Sequence, residues 1–481
     1  MLFKLIMYVS IKPYIHPKLK EVIDLKNKLF EISNLHDGPI HILVPEIMDE
    51  NIREFSSLLR ELKIDYSIRF AHKSNKSPSL VRQAKMNGIG IDVASYNELV
   101  SALSNGFTGA ETSCSGPKNK KFILLALYHN CMISIDSVSE LQTIMEISKR
   151  YRIKKASVLV RLNDLFGNDR VLRKKNTKFG MSQNMLDDIK KLIKENNFIS
   201  LEGIHFHYDE FDPEIKAGSI DNLLNIFYKL YADGFSPTII NIGGGFRGRE
   251  LENVLDWERY ISFLSQAKLN NLPTDTWGDR AYGIHVNDKG VIEGREFIAK
   301  RYREINSAKF LRAILTKEFQ SGKPIFNKIN EGFFKLIIEP GYALSINTGF
   351  TILRVESYKV LNNGDEAIFV NANIQNLSSR MWEYFVDPIL ITKQDNMPNQ
   401  DIFYGYILGN LCRDDDILIQ RKVYFNHKPN IGDLIVLVNT SPYISDFEDG
   451  NPIQQEQGRK FVAKKICDSI QIFNENSYEL I

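Results

Sequence analysis

The chain has 481 residues, 43% hydrophobic and 25% charged, the proportions of an ordinary globular protein, which exclude disordered, collagen-like and coiled-coil chains. Its 61 Lys and Arg against 59 Asp and Glu leave a net charge of +2, too even a balance to mark a nucleic-acid or membrane-surface partner. Four widely spaced cysteines, Cys114, Cys131, Cys412 and Cys467, make neither a disulfide framework nor a CxxC metal site, so no metal is expected and a reducing, cytoplasmic setting is.

The N-terminal MLFKLIMYVSIKPYI is apolar but interrupted by Lys4 and Lys12. That run is short for a signal peptide, and no stretch approaches the roughly 20 apolar residues of a membrane span. Residues 1–39 are expected to pack as a segment on a β domain. From residue 40, short apolar runs alternate with helical patterns. HILVP (41–45) reads as a strand, and Asp49 to Leu62 then sets Ile52, Phe55, Leu58, Leu59 and Leu62 on one helix face. YSIRFAH (66–72), MISID (132–136), SVLVRL (157–162), Leu201 to His207, Thr238 to Ile242 and KLIIEP (335–340) read as further strands, with helices between them. About eight such units in residues 40–345 predict an α/β fold built on a (β/α)8 barrel. Residues 247–332 are long for one crossover and predict an insertion, with Trp277, Tyr282 and Arg301 as candidates for shaping a pocket. After Gly341 the pattern turns strand-like, with Asn-Gly and Gly-Asp turns, and residues 346–481 predict a mostly antiparallel β domain.

Several strand ends carry chemistry. In FAHKSNKS (70–77), Lys73 sits where an apolar strand stops; a lysine there can form a Schiff base, though a surface lysine is the commoner outcome. In GIHFHYD (203–209), His205 and His207 are read as facing opposite sides of the strand, which disfavours a two-histidine metal site; one imidazole could stack on a flat cofactor or simply be a core histidine. IINIGGGF (239–246) places three glycines after a strand, where backbone N–H groups can approach an anion or form a tight turn. No GxxxxGK with Ser or Thr follows, which excludes a nucleotide-binding loop of that kind. In LIIEPGYA (336–343), Glu339 closes a strand, as a turn former or as the partner of a ring nitrogen. Lysine, imidazole, triple glycine and carboxylate on one barrel mouth are together the requirements of pyridoxal phosphate.

These residues resemble a known family. FAHKSNKS, GIGIDVASYNEL (88–99), ISIDSVSEL (133–141), the VRLN and KFG segments, HFH, IGGGF, EPG, the LC segment with trailing acids and the NTSPY of 439–443 match, in order, the pyridoxal-phosphate-dependent decarboxylases of the alanine-racemase-like fold (fold type III), the diaminopimelate and ornithine decarboxylase group. FAxKxNK and LCxxDD are closest to a branch of siderophore and other secondary metabolism. The resemblance implies that Lys73 holds the cofactor as a Schiff base, that Gly243, Gly244 and Gly245 bind its phosphate with Tyr443 assisting, that His207 stacks on its ring and that Glu339 pairs with its ring nitrogen. Asp92 and Arg161 match positions that support the lysine and the cofactor. It further implies a homodimer with shared active sites, in which Cys412 from the second subunit acts near the substrate α-carbon. Arg413 beside it predicts a substrate whose distal end is acidic or polar, because a guanidinium repels an ammonium and pairs with a carboxylate. Two departures stand out. Tyr342 replaces the arginine of the family's EPGR, and Asp209-Glu210 replace a Gly-Ser pair. The expected activity is decarboxylation of an amino acid or an amino-acid-bearing intermediate. A racemase of the same fold, or a non-catalytic or regulatory pyridoxal-phosphate-binding relative, are the alternatives.

Overall fold

The computed structural model describes residues 8–165, 177–209, 212–295, 298, 301–302, 307–319, 322–377, 384–393, 401–448 and 450–478. In chain order the strands are β1 (Ile40–Leu43), β2 (Asp65–Ala71), β3 (Gly90–Val93), β4 (Thr112–Cys114), β5 (Met132–Ile135), β6 (Ala156–Arg161), β7 (Ile199–His205), β8 (Ile239–Asn241), β9 (His285–Val286), β10 (Ile292–Glu293), β11 (Lys335–Ile338), β12 (Gly349–Val360), β13 (Glu366–Val370), β14 (Ile389–Ile391), β15 (Phe403–Leu408), β16 (Ile417–Phe425), β17 (Leu434–Val438), β18 (Arg459–Ile466) and β19 (Ser469–Asn474). The chain forms two compact units: Met48–Gly248 with Ile305–Leu344, and Met1–Ile47 with Arg249–Glu304 and Ser345–Ile481.

The first unit is a closed barrel in the order β11-β2-β3-β4-β5-β6-β7-β8. Every neighbouring pair is parallel, closing with β11 between β2 and β8. Parallel strands need crossovers, and the loop residues supply the helix starts. Ser95, Asn119, Ser137 and Asp212 each accept a backbone N–H in the first turn of the helix that follows. Leu159, Ile239 and Ile337, with Met132 against them, fill part of the barrel. Towards the carboxyl ends of the strands the buried residues change character: Asp92, Ser113, Ser134, Arg161, His205, Asn241 and Glu339 are all buried and polar. Seven consecutive positions around the barrel thus contribute one polar layer.

The second unit is a nine-stranded, mostly antiparallel sheet in the order β16-β15-β13-β12-β1-β18-β19, with β17 pairing β12 and β14. Leu19, Val22 and Leu29 from two N-terminal helices pack with Phe350, Ile352 and Phe461 on it. A second core gathers Trp257, Tyr260, Tyr302 and Phe385.

Two expectations need correction. HILVP does contain a strand, but β1 pairs antiparallel with β12 and parallel with β18, so the barrel begins at β2. Four apolar residues identify a strand without saying which sheet completes it. The segment 247–332 also divides. Residues 249–304 belong to the sheet unit and 305–332 to the barrel unit. Trp277 packs edge-on to Tyr406 at 4.9 Å, Tyr282 lies 5.0 Å from Phe385, and Arg301 pairs with Glu250. These three side chains therefore hold the sheet unit together. Among the described residues, no helix is long and apolar enough to cross a membrane.

Candidate active site

The barrel's polar layer is organised around Asn241, the last residue of β8. Its carboxamide oxygen accepts the Gly243 N–H at 2.9 Å, and its amide donates to Glu339 Oε1 at 2.6 Å. One side chain thus ties the glycine turn to the carboxylate. Glu339 Oε2 lies 3.6 Å from His205 Nε2, beyond a hydrogen bond. Among the described residues buried Nε2 has no hydrogen-bond partner, while Nδ1 sits 2.6 Å from Ser134 Oγ. Glu339 Oε2 accepts no hydrogen bond among the described residues.

The triple glycine is a fitted turn. A Cβ on Gly243 would lie 2.6 Å from His207 Nδ1, one on Gly244 2.6 Å from the Glu339 carbonyl oxygen, and one on Gly245 2.8 Å from the Tyr208 carbonyl oxygen. Gly243 and Gly245 also have φ of +63° and +82°, where glycine alone is unstrained. His207 Nδ1 accepts the Gly244 N–H at 3.0 Å, which leaves the imidazole proton on Nε2. The reading of the two histidines on opposite faces is wrong. Residues two apart share a face of a strand, β7 ends at His205, and His207 lies just beyond it. Both imidazoles are held well below the usual histidine range, by burial first. The cations Arg161, Lys73 and Lys216 add to the effect on each, so both are neutral at pH 7.

Lys73 follows β2 in the turn His72–Ser74 and is exposed. Asp92, on β3, accepts hydrogen bonds from Ser113 Oγ at 3.0 Å and Ser115 Oγ at 2.8 Å. Burial, and then the Glu339 charge, push Asp92 up to about 8, while Lys73 and the two hydroxyls pull it back. Arg161 ends β6, 3.6 Å from Asp136 and 4.8 Å over the Phe179 ring. Lys73, Asp92, Arg161, His207, Gly243–Gly245 and Glu339 therefore all belong to the barrel's strand ends. Of the departures, Tyr342 is buried with the Arg247 guanidinium 4.9 Å over its ring. Asp209 is exposed, and Glu210 lies outside the described residues.

Cys412, Arg413 and Tyr443 lie in the sheet unit. Cys412 is exposed on a loop fastened by buried Asp416, which accepts the Leu411 N–H at 2.7 Å and the Ile374 N–H at 2.9 Å. A Cβ on Gly409 would lie 2.2 Å from the same carboxylate, so that loop too requires a glycine. Arg413 engages Asp415 through two nitrogens, at 2.5 and 2.7 Å. A substrate carboxylate would have to displace that internal partner. Tyr443 is half-buried at φ +63°, its ring 5.4 Å from Phe447.

The sequence reading missed Asn241, Ser134, Ser113 and Lys216. The first two had a signal, a lone polar residue in an apolar strand. Lys216 had none, because a lysine in a helical pattern is ordinarily a solvated one.

The arrangement fits pyridoxal phosphate: a turn whose Cβ positions are already filled, a carboxylate with one oxygen open to a ring N–H, two neutral imidazoles and a lysine at a strand end. Residues 48–278 match the family described as the pyridoxal-binding domain of pyridoxal-dependent decarboxylases. A diaminopimelate decarboxylase of Helicobacter pylori, solved with L-lysine, has a TM-score of 0.69 at 18% identity, covering 92% of this chain and 95% of that one. An uncharacterized protein of Sinorhizobium fredii is 25% identical over 421 residues, 87% of this chain and 86% of that protein. The L-glutamyl-(BtrI acyl-carrier protein) decarboxylase of Niallia circulans is 30% identical over 230 residues, 45% of this chain and 51% of that protein.

Proposed function

We propose that this chain, a member of the pyridoxal-dependent decarboxylases through residues 48–278, removes the α-carboxylate of an amino acid or of an amino-acid-bearing intermediate of secondary, siderophore-type metabolism. The observation that carries the reading is the Gly243–Asn241–Glu339 network, with bonds of 2.9 and 2.6 Å. It ties the glycine turn and the Glu339 carboxylate into one unit, which supports a phosphate site at the turn and a ring-nitrogen partner in the carboxylate. When bound, pyridoxal phosphate supplies an electron sink for the pair released as the Cα–carboxylate bond breaks.

The chain's own residues do the rest. Lys73 presents the amine that holds the cofactor. Glu339, held by Asn241, would keep a proton on the ring nitrogen, and His207 would cover a ring face. A carboxylate in that place favours decarboxylation over racemisation, since it deepens the sink. Asp92, buried between two serine hydroxyls, supports Lys73. In the proposed homodimer, Cys412 of one subunit serves the other subunit's barrel and returns a proton to the α-carbon. Tyr443 assists at the phosphate.

Arg413 favours a substrate with an acidic or polar distal end, for which Asp415 holds the place. The Niallia circulans relative, named for a glutamyl group on an acyl-carrier protein, supports a carrier-bound substrate as one form of it. The test is CO2 release from free glutamate, diaminopimelate, ornithine and lysine, and from glutamyl-carrier protein, with cofactor absorbance followed in parallel. Release from the carboxylate-bearing substrates supports the proposal. Turnover of ornithine or lysine alone refutes the Arg413 argument. Tyr342 in place of the family arginine favours a second reading, a cofactor-binding relative without turnover, and bound cofactor with no CO2 from any substrate would establish it.

A further inference from the structure

We propose that Lys216, from the helix Pro213–Ala232, is the cation that binds the phosphate of pyridoxal phosphate in this chain, in place of the arginine whose sequence position Tyr342 occupies. The proposal rests on the cofactor reading above. The Lys216 side chain reaches from the helix to the triple-glycine turn. Its Nζ donates to the Gly244 carbonyl oxygen and reaches the Ile242 carbonyl oxygen at 3.5 Å. A Cβ on Gly245 would lie 3.3 Å from Nζ, and the ring centroid of Phe246 is 4.8 Å away. The ammonium is thus packed directly against the turn proposed to receive the phosphate.

Its hydrogen-bond partners are carbonyl oxygens rather than a carboxylate. Lys216 is 0% exposed, and among the described residues no carboxylate lies within ion-pair distance of Nζ. Burying an uncompensated ammonium is expensive, and proteins normally pair such a group. The same barrel shows the ordinary solution at Lys118, whose buried side chain is 2.8 Å from Glu140. Two carbonyls and an aromatic face only partly replace a carboxylate. Burial pulls Lys216 down to about 8, against the more remote Asp209 and Glu339. A phosphate dianion supplies the missing charge at the place where the glycine turn would receive it. Tyr342, whose ring lies under the Arg247 guanidinium, offers no cationic group to a phosphate.

Arg247, which follows the glycine turn, is the rival cation, and the experiment separates the two. Apoprotein of the wild type, Lys216→Met, Lys216→Arg and Arg247→Met is checked for folding by circular dichroism. Each is then titrated with pyridoxal phosphate and with pyridoxal, which lacks the phosphate. The wild type should bind pyridoxal phosphate far more tightly than pyridoxal. Lys216→Met should weaken pyridoxal phosphate by about 10- to 100-fold, the worth of a hydrogen bond to a charged group, and leave pyridoxal unchanged. Lys216→Arg should retain most of the preference. An unchanged preference in folded Lys216→Met, or a preference lost only in Arg247→Met, overturns the assignment. A wild type that binds neither compound refutes the cofactor reading instead. If Lys216→Met does not fold, the bound phosphate's 31P resonance in Lys216→Arg decides. Exchanging the contacting cation must shift it, and an unshifted resonance overturns the assignment.

Discussion

Gly244→Ala isolates the cradle from general stability. Gly244 is not at positive φ, so an alanine there meets no backbone strain; the obstacle is space. Its Cβ would sit 2.6 Å from the Glu339 carbonyl oxygen and 3.3 Å from His207 Cε1. Ordinary contact begins at 3.4 Å, so relief needs a shift of 3.4 − 2.6 = 0.8 Å. The neighbouring bonds, Ile242 N–H to the Ile337 oxygen at 3.0 Å and Glu339 N–H to the Gly243 oxygen at 2.9 Å, resist it. Overpacking of this kind costs about 1–3 kcal/mol, and a displacement near 1 Å at a positioning element costs up to about 100-fold in function. Gly88→Ala is the matched control. Gly88 has φ +66° and nothing within 4 Å of its Cβ position, so its cost of about 1–2 kcal/mol is purely conformational. Both variants should lose several degrees of melting temperature by circular dichroism, yet only Gly244→Ala should bind pyridoxal phosphate roughly 10- to 100-fold more weakly. Wild-type affinity in Gly244→Ala would refute the assignment of the turn as the phosphate cradle.

Glu339→Gln keeps the shape and the Asn241 hydrogen bond but removes the charge facing the ring nitrogen. CO2 release should fall by about 100- to 10,000-fold with little change in melting temperature, and a loss under about threefold would argue against the ring-nitrogen role. Asp92 is pushed up from 3.8 to about 8 in the folded apoprotein. A raised acid stabilises fully below its unfolded pKa, and that contribution is lost as pH climbs through the folded value. Apoprotein melting temperatures should therefore decline between about pH 4 and 8 more steeply in the wild type than in Asp92→Asn; parallel curves would contradict this. Lys73→Ala and Cys412→Ala should each be severely impaired, but after subunit exchange an equal mixture should recover roughly a quarter of wild-type activity, because half the dimers are hybrids with one intact site of two. No recovery with hybrids demonstrably present would confine Cys412 to its own chain or to no catalytic role.

Lys73, Glu339 and the glycine turn were legible because each stands where an apolar run stops, and in a parallel barrel such stops share one face. Asn241 and Ser134 were equally visible as polar interruptions of IINI and ISI, but their partners, Glu339 and His205, lie 98 and 71 residues away. Nothing local announces such pairs. β4 has only three residues, too few for periodicity, and its serine on Asp92 went unread for that reason. β1 showed its strand character but not its sheet, since pairing with β12 and β18 is decided by chain segments more than 300 residues downstream. Lys216 was the hardest. Its pattern is that of a surface helix, and only the approach of the helix Pro213–Ala232 to the glycine turn makes it buried.

The most direct measurement is the covalent address of the cofactor. Purified protein is reduced with borohydride, which fixes a cofactor–lysine bond, and digested for peptide mass spectrometry. The pyridoxyl adduct should lie on the peptide containing Lys73 and be missing from folded Lys73→Ala. An adduct on another lysine, Lys216 included, or none in protein saturated with pyridoxal phosphate, would contradict the site assigned to the barrel's strand ends.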